Sequence, residues 1–196
     1  MNAFTVWFET GLLHILDISA YDHLMFVSLV ALSYSLSDWK KLLLLVTAFT
    51  FGHSLTLAMS VIQNLQLPVA LIEAGIALSI LIAGIFVLLN MRSRSNTGGG
   101  TVYFITLLFG LLHGLGFSFL LRSLLGNEQS IFLPLLYFNL GIEAGQLIIL
   151  ALVLLISLLL SRLNTSYFRI FKITLVCLIT LIALKICAER FVQLFS

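Results

Sequence analysis

The sequence predicts an all-α integral membrane protein of six transmembrane helices with an amphipathic N-terminal lead-in. Three observations predict it. Apolar residues make up 61% of the 196-residue chain and charged residues only 9%, against about 45–50% and roughly 25% in soluble domains. The apolar residues fall into runs close to the ~20 residues that a helix needs to cross the hydrocarbon core. Within each run they are continuous, whereas the strands of a membrane barrel would alternate.

The lead-in is "TVWFETGLLHILDI", residues 5–18. Trp7 and Phe8 suit an anchor at headgroup level. Residues 1–20 carry no Lys or Arg, and no secretory cleavage pattern follows, so this segment is expected to stay in the mature chain. The six spans are predicted over residues 21–37, 41–63, 69–90, 102–122, 132–160 and 169–188, within one transmembrane domain covering 1–196. "SDWKK" separates the first two spans and "NLQLP" the next two, with Pro68 where a helix can begin. Residues 91–101, including "MRSRSNTGGG", form the one charged and glycine-rich linker. "LGNEQS" and "SRLNTSYFR" provide the remaining breaks. Span six carries little polarity beyond Thr174, Cys177 and Thr180. It can face lipid or a second subunit, which is compatible with a homo-oligomer. Cys177 and Cys187 lie about 15 Å apart on a continuous helix, too far for a disulfide, and read as small buried hydrophobes.

Charge placement predicts orientation. Lys40, Lys41, Arg92, Arg94, Arg162, Arg169 and Lys172 fall on one side, and Arg122, Lys185 and Arg190 on the other. The positive-inside rule then puts both termini outside the cytoplasm. The net charge of +2 does not point to nucleic acid.

An internal echo suggests a repeat of spans two–three and four–five. "FGHSLTL" at 51–57 precedes "IEAG" at 72–75, and "FGLLHGLGF" at 109–117 precedes "IEAG" at 142–145. Transporters often carry such repeats, with sites at the repeat interface.

Ionisable groups within spans cost about 2.5–3.5 kcal/mol each by insertion scales. This chain nevertheless places all four of its histidines, His14, His23, His53 and His113, within or beside spans, together with Asp22, Glu73 and Glu143. Asn139, Glu143 and Gln146 share one helical face. Gly110 and Gly114 form a GxxxG that permits close helix approach beside His113. Glu73 lies roughly 8 Å and His53 roughly 16 Å below the outer surface, so the set grades from rim to midplane. Each member alone has a structural alternative: a helix–helix hydrogen bond for His53 or His113, snorkelling for Glu73, interhelical glue for the Asn139 face. Together they point to a bound cation. Imidazole and carboxylate suit nickel, cobalt, zinc or copper. Four methionines and no paired thiolates disfavour a copper(I) path, the ligand mix disfavours calcium, and no phosphate-binding loop is present.

The stretches "HILDISAYDHLMF", "TAFTFGHSLTL", "IEAGIALSI", "FGLLHGLGF" and "FNLGIEAGQ" resemble, in order, the HupE/UreJ family of bacterial membrane proteins. Its members are small helical permeases associated with nickel or cobalt supply. The resemblance implies a multi-pass protein of the bacterial inner membrane, with metal-handling positions at His14, Asp22, His23, His53, Glu73, His113 and Glu143. The first motif departs from the family in spacing seven residues between His14 and Asp22, where a shorter gap is usual. On a continuous helix two extra residues rotate His14 by about 200°. A break near "DISAY" absorbs the shift; otherwise Asp17 is the substitute ligand at the entrance.

Three functions compete. The leading one is a divalent-metal permease and not an enzyme, with Asn139 and Gln146 orienting the ligands. The second is an intramembrane zinc hydrolase that uses the imidazoles and the Ser54 hydroxyl. The third is a metal sensor or assembly partner that transports nothing.

Overall fold

The computed structural model describes residues 2–19, 21–63, 67–91, 100–125 and 130–195. The linker segment 92–99 with Arg92 and Arg94, and parts of the breaks at 64–66 and 126–129, lie outside the described residues. The described chain is all-helical: α1 (Ala3–Leu16), α2 (Tyr21–Ser33), a 3-10 turn (Leu36–Asp38), α3 (Trp39–Gln63), α4 (Val69–Asn90), α5 (Gly100–Leu125), α6 (Phe132–Leu163) and α7 (Thr165–Phe195).

Five of these helices, α3 to α7, are long and apolar enough to cross a membrane. The expected span 21–37 does not form a sixth such helix by itself. Helix α2 stops at Ser33 after 13 residues, about 20 Å of rise against a core of ~30 Å. Its partner is the lead-in itself. Helices α1 and α2 together pass as one span bent by 73°.

The break has a local cause. The Asp17 backbone N–H makes the last bond of α1, to the Leu13 carbonyl at 2.8 Å, and its Oδ1 then accepts from the Ser19 N–H at 2.8 Å. A side chain that bonds backbone two residues on competes with helix continuation. At the far end of α2, Ser35 and Asp38 close a capping box before α3. The Lys41 ammonium, 2.9 Å from Asp38, and the Ser35 hydroxyl beside it hold the Asp38 carboxyl below its usual range.

Three helix pairs build the bundle. Helices α1 and α6 run parallel, so close that a Cβ on Gly11 would collide with the Phe138 carbonyl and one on Gly141 with the Phe8 carbonyl. Trp7, expected at headgroup level, is buried by this packing. Helices α3 and α5 are also parallel. Gly52 sits against the Leu107 carbonyl, Gly110 against the Phe49 carbonyl and Gly114 against the His53 carbonyl. Small residues at a seam let backbones approach, which is how membrane helices gain packing without a hydrophobic driving force. Helices α4 and α7 are antiparallel and meet where Gly84 abuts the Thr180 side chain.

The internal echo survives locally. The offset that carries Gly52 onto Gly110 also carries Phe49 onto Leu107 and His53 onto Leu111, so the α3–α5 contact is two-fold in character. That offset does not carry His53 onto His113. The two "IEAG" glutamates also have different surroundings, Arg190 for Glu73 and Thr47 for Glu143.

The bundle exterior is apolar, with Phe51, Ile62, Phe119, Leu155 and Leu181 all exposed. Lipid is the solvent such a surface requires. This is a membrane protein.

Candidate metal centre

The site begins at the broken span. His14 lies in the last turn of α1, and Asp22 and His23 in the first turn of α2. The break lays the two imidazoles edge to face, with ring centroids 4.7 Å apart. The extra residues between His14 and Asp22 are therefore absorbed by the bend. Asp17 stays at the break as a capping group and does not line the cavity described below.

The α3–α5 seam supplies the other two rings. Close approach at Gly52, Gly110 and Gly114 leaves no route for solvent or lipid, so His53 and His113 are buried. The His53 ring lies 6.0 Å from both His14 and His23, and His113 lies 5.1 Å from His23, centroid to centroid. One ring nitrogen from each of His14, His23 and His53 falls within 4.8 Å of the others. Imidazoles binding one first-row ion at about 2.0–2.1 Å place their nitrogens at most about 4.2 Å apart. A slight inward closure therefore brings the three rings onto a common ion.

Hydrogen bonds select which nitrogen faces inward. His23 Nδ1 lies 3.0 Å from the Asp22 carboxylate, which also accepts the His23 backbone N–H at 2.9 Å. His113 Nδ1 lies 2.8 Å from the Phe109 carbonyl. An ionised carboxylate and a carbonyl can only accept, so in the neutral rings Nδ1 carries the proton and Nε2 keeps its lone pair. The same arrangement fixes ring orientation and raises basicity in metal-bound histidines.

The Nε2 atoms of His14, His23, His53 and His113, and Nδ1 of His53, are buried with no hydrogen-bond partner. Each such atom costs about 1–3 kcal/mol, and native proteins hold only a few per 100 residues. The two nitrogens of His53 share one lone pair between them in the neutral ring, so the cluster offers four lone pairs, one on each ring, that could take a ligand. Phe117 covers the His14 ring at 4.0 Å and stacks on Phe138, and Phe49 packs beside the His113 ring at 5.1 Å. These aromatics screen the imidazoles from water.

A cavity of about 290 Å³ opens onto this cluster. His14, Asp22, His23, His113, Glu73 and Arg190 all line it. His53 is fully buried and is not part of the cavity wall.

The structure thus divides the seven candidate ligands. His14, Asp22, His23, His53 and His113 converge. Glu73 shares the cavity but pairs with Arg190 at 3.1 Å, not with an imidazole. Glu143 stands apart on the α3–α6 seam, where it accepts from the Thr47 hydroxyl at 2.7 Å. Gln146 accepts from Thr50 at 2.8 Å on the same seam, and its Nε2, like Asn139 Oδ1, is buried without a partner. Neither Asn139 nor Gln146 lines the cavity. The Ser54 hydroxyl donates to the Thr50 carbonyl at 2.6 Å within its own helix, a bond that satisfies α3 and leaves the hydroxyl engaged.

Arg190 and the Phe117–Phe138 pair were not anticipated. In the sequence, Arg190 reads only as a charge on the outer side. Its spacing from Ile186 and Ala183, which also line the cavity, was legible as one helical face. The aromatic pair depends on α5 meeting α6, which no local pattern announces.

No curated protein and no solved structure matches the chain. The model of the family described as HupE / UreJ protein matches residues 1–190, a stretch that contains every residue of the centre, and the chain belongs to that family.

Proposed function

We propose that the protein is a permease for a divalent transition-metal ion, nickel or cobalt foremost, which passes through the histidine cluster. Family membership supports a nickel- or cobalt-related accessory or transport role in a membrane. The observation that carries the finer reading is the convergence of His14, His23 and His53, one ring nitrogen of each within 4.8 Å of the others, with buried Nε2 atoms that lack a hydrogen-bond partner. Imidazole suits nickel, cobalt, zinc and copper(II) alike, and family membership ranks the first two ahead.

The cavity takes the ion first. Asp22 supplies the negative charge nearest the imidazoles and aligns His23 for it. His14, His23 and His53 then replace water ligands, and His113 stands next to His23 for transfer. The positive-inside expectation would face the cavity outward, and on this reading the ion is a substrate taken inward. The Thr47–Glu143 and Thr50–Gln146 bonds form the polar seam nearest to a continuation.

The same reading makes the protein a carrier and not a hydrolase. A zinc hydrolase needs a free general base beside its metal-bound water, and here Asp22, the carboxylate nearest the imidazoles, bonds His23. Uptake of radioactive nickel into proteoliposomes tests the proposal. His23→Ala and His53→Ala are each expected to cut uptake at least tenfold. Uptake equal to wild type in both variants would remove these residues from the pathway. Hydrolysis of a lipid amide by the purified protein would favour the enzyme instead.

A further inference from the structure

The Glu73–Arg190 pair is unexplained by a simple cation site. A guanidinium on the wall of a cation cavity repels the ion that the imidazoles attract. Its placement is built in by the fold. Helices α4 and α7 are antiparallel and wall the cavity together, with Ile76 and Ala77 from one and Ala183 and Ile186 from the other. They are clamped at Gly84 and Thr180. About ten residues, or roughly 15 Å, farther along each helix, the ion pair joins them again at the cavity. The Arg190 and Glu73 side chains are 34% and 39% exposed, so the pair belongs to the mouth and not the floor. A partly exposed ion pair is weak and can be exchanged for another.

We propose that Glu73 and Arg190 form a charge latch across the mouth of the histidine cavity, in which Arg190 is a tethered cation that an incoming divalent ion displaces from the Glu73 carboxylate. The inference rests on the permease reading for its ligand and extends it to a first contact outside the imidazole cluster. A divalent ion competes with the single charge of the guanidinium better than a monovalent ion does, so the latch discriminates by charge before the imidazoles discriminate by ligand type. While latched, the pair contributes no net charge. Once Glu73 is taken by the ion, Arg190 loses its partner on α4 and keeps the Gln193 side chain on its own helix, 2.9 Å away.

Two measurements test it, and neither needs transport. The first is equilibrium binding of nickel by calorimetry, on detergent-purified protein without a histidine tag. Arg190→Gln unmasks Glu73 and is expected to tighten binding about tenfold, and Glu73→Gln to weaken it. In the Glu73→Gln background the gain from removing Arg190 is expected to be clearly smaller than in the wild type, because only repulsion is relieved and no masked carboxylate is released. A gain as large or larger in the Glu73→Gln background would make Arg190 a background charge and overturn the latch. The second is the rate at which a membrane-impermeant thiol reagent labels Ala77→Cys without metal, in a Cys177→Ser/Cys187→Ser background. Glu73→Gln and Arg190→Gln are each expected to raise the rate about tenfold, and the charge swap Glu73→Arg/Arg190→Glu to restore it. Rates equal in all four proteins would also overturn the latch. Loss of nickel flux with both latch results intact would count against the permease alone.

Discussion

Asp22 does more for the centre than add a charge. Its carboxylate accepts both the backbone and the ring N–H of His23, which points Nε2 of that ring at His14 and His53. Asp22→Asn keeps the size but loses the ionised acceptor, and its amide can present a donor instead. Outer-shell partners of this kind are worth 10–100-fold in metal affinity. The expected outcome is a fall of that order in nickel affinity by calorimetry, with the thermal unfolding midpoint in detergent nearly unchanged. Glu143→Gln is the contrast. Thr47 holds Glu143 on another seam, so equilibrium affinity should change less than threefold while inward flux falls. Equal effects of the two variants on affinity would place Glu143 with the imidazoles after all. At this scale the sequence was legible where chemistry is local. "YDH" announced a carboxylate beside an imidazole, and the scarcity of buried charge singled out His53 and His113. Glu73 and Glu143 were legible as intramembrane acids but not by partner, because Arg190 and Thr47 reach them only through packing of distant segments.

The helices explain why the residues meet. The α3–α5 seam is closed at Gly52, Gly110 and Gly114, where an added Cβ would strike backbone carbonyls that cannot move aside. Gly110→Ala is therefore expected to cost about 1–3 kcal/mol, the usual range for overpacking, and to weaken nickel binding by separating His53 from His23. Gly100→Ala, with nothing within 4 Å of its added Cβ, is the silent control. Thermal unfolding in detergent compares them. The GxxxG beside His113 made this contact legible in advance, since small residues at that spacing permit close helix approach. The true limits of the first span were less legible. The apolar run of residues 21–37 continues past Ser33 and masks the stop, although Ser35 followed by Asp38 was a capping signature. The bend between α1 and α2 packs the lead-in against the bundle, where the bent pair forms a broken span or a re-entrant loop. A bent pair also delivers two helix termini to one point, and His14 and His23 sit at those termini.

For the whole molecule, membrane residence followed from composition alone, and the apolar exterior of α3 to α7 agrees with it. Which helices pair was hidden, because a continuously apolar helix shows no face that names its neighbour. Orientation rests on the basic loops. Reporter fusions at each end of the chain are expected to be active only when the reporter works outside the cytoplasm, and a cytoplasmic reporter active at either end would reverse the cavity. The most direct measurement of all is X-ray absorption at the nickel edge on tag-free protein loaded with one equivalent of nickel. The expected spectrum contains at least three imidazole nitrogens, and it loses them when His14, His23 and His53 are all replaced by alanine. A first shell of oxygen alone, or a spectrum unchanged by that triple replacement, would mean that the clustered rings do not hold the ion.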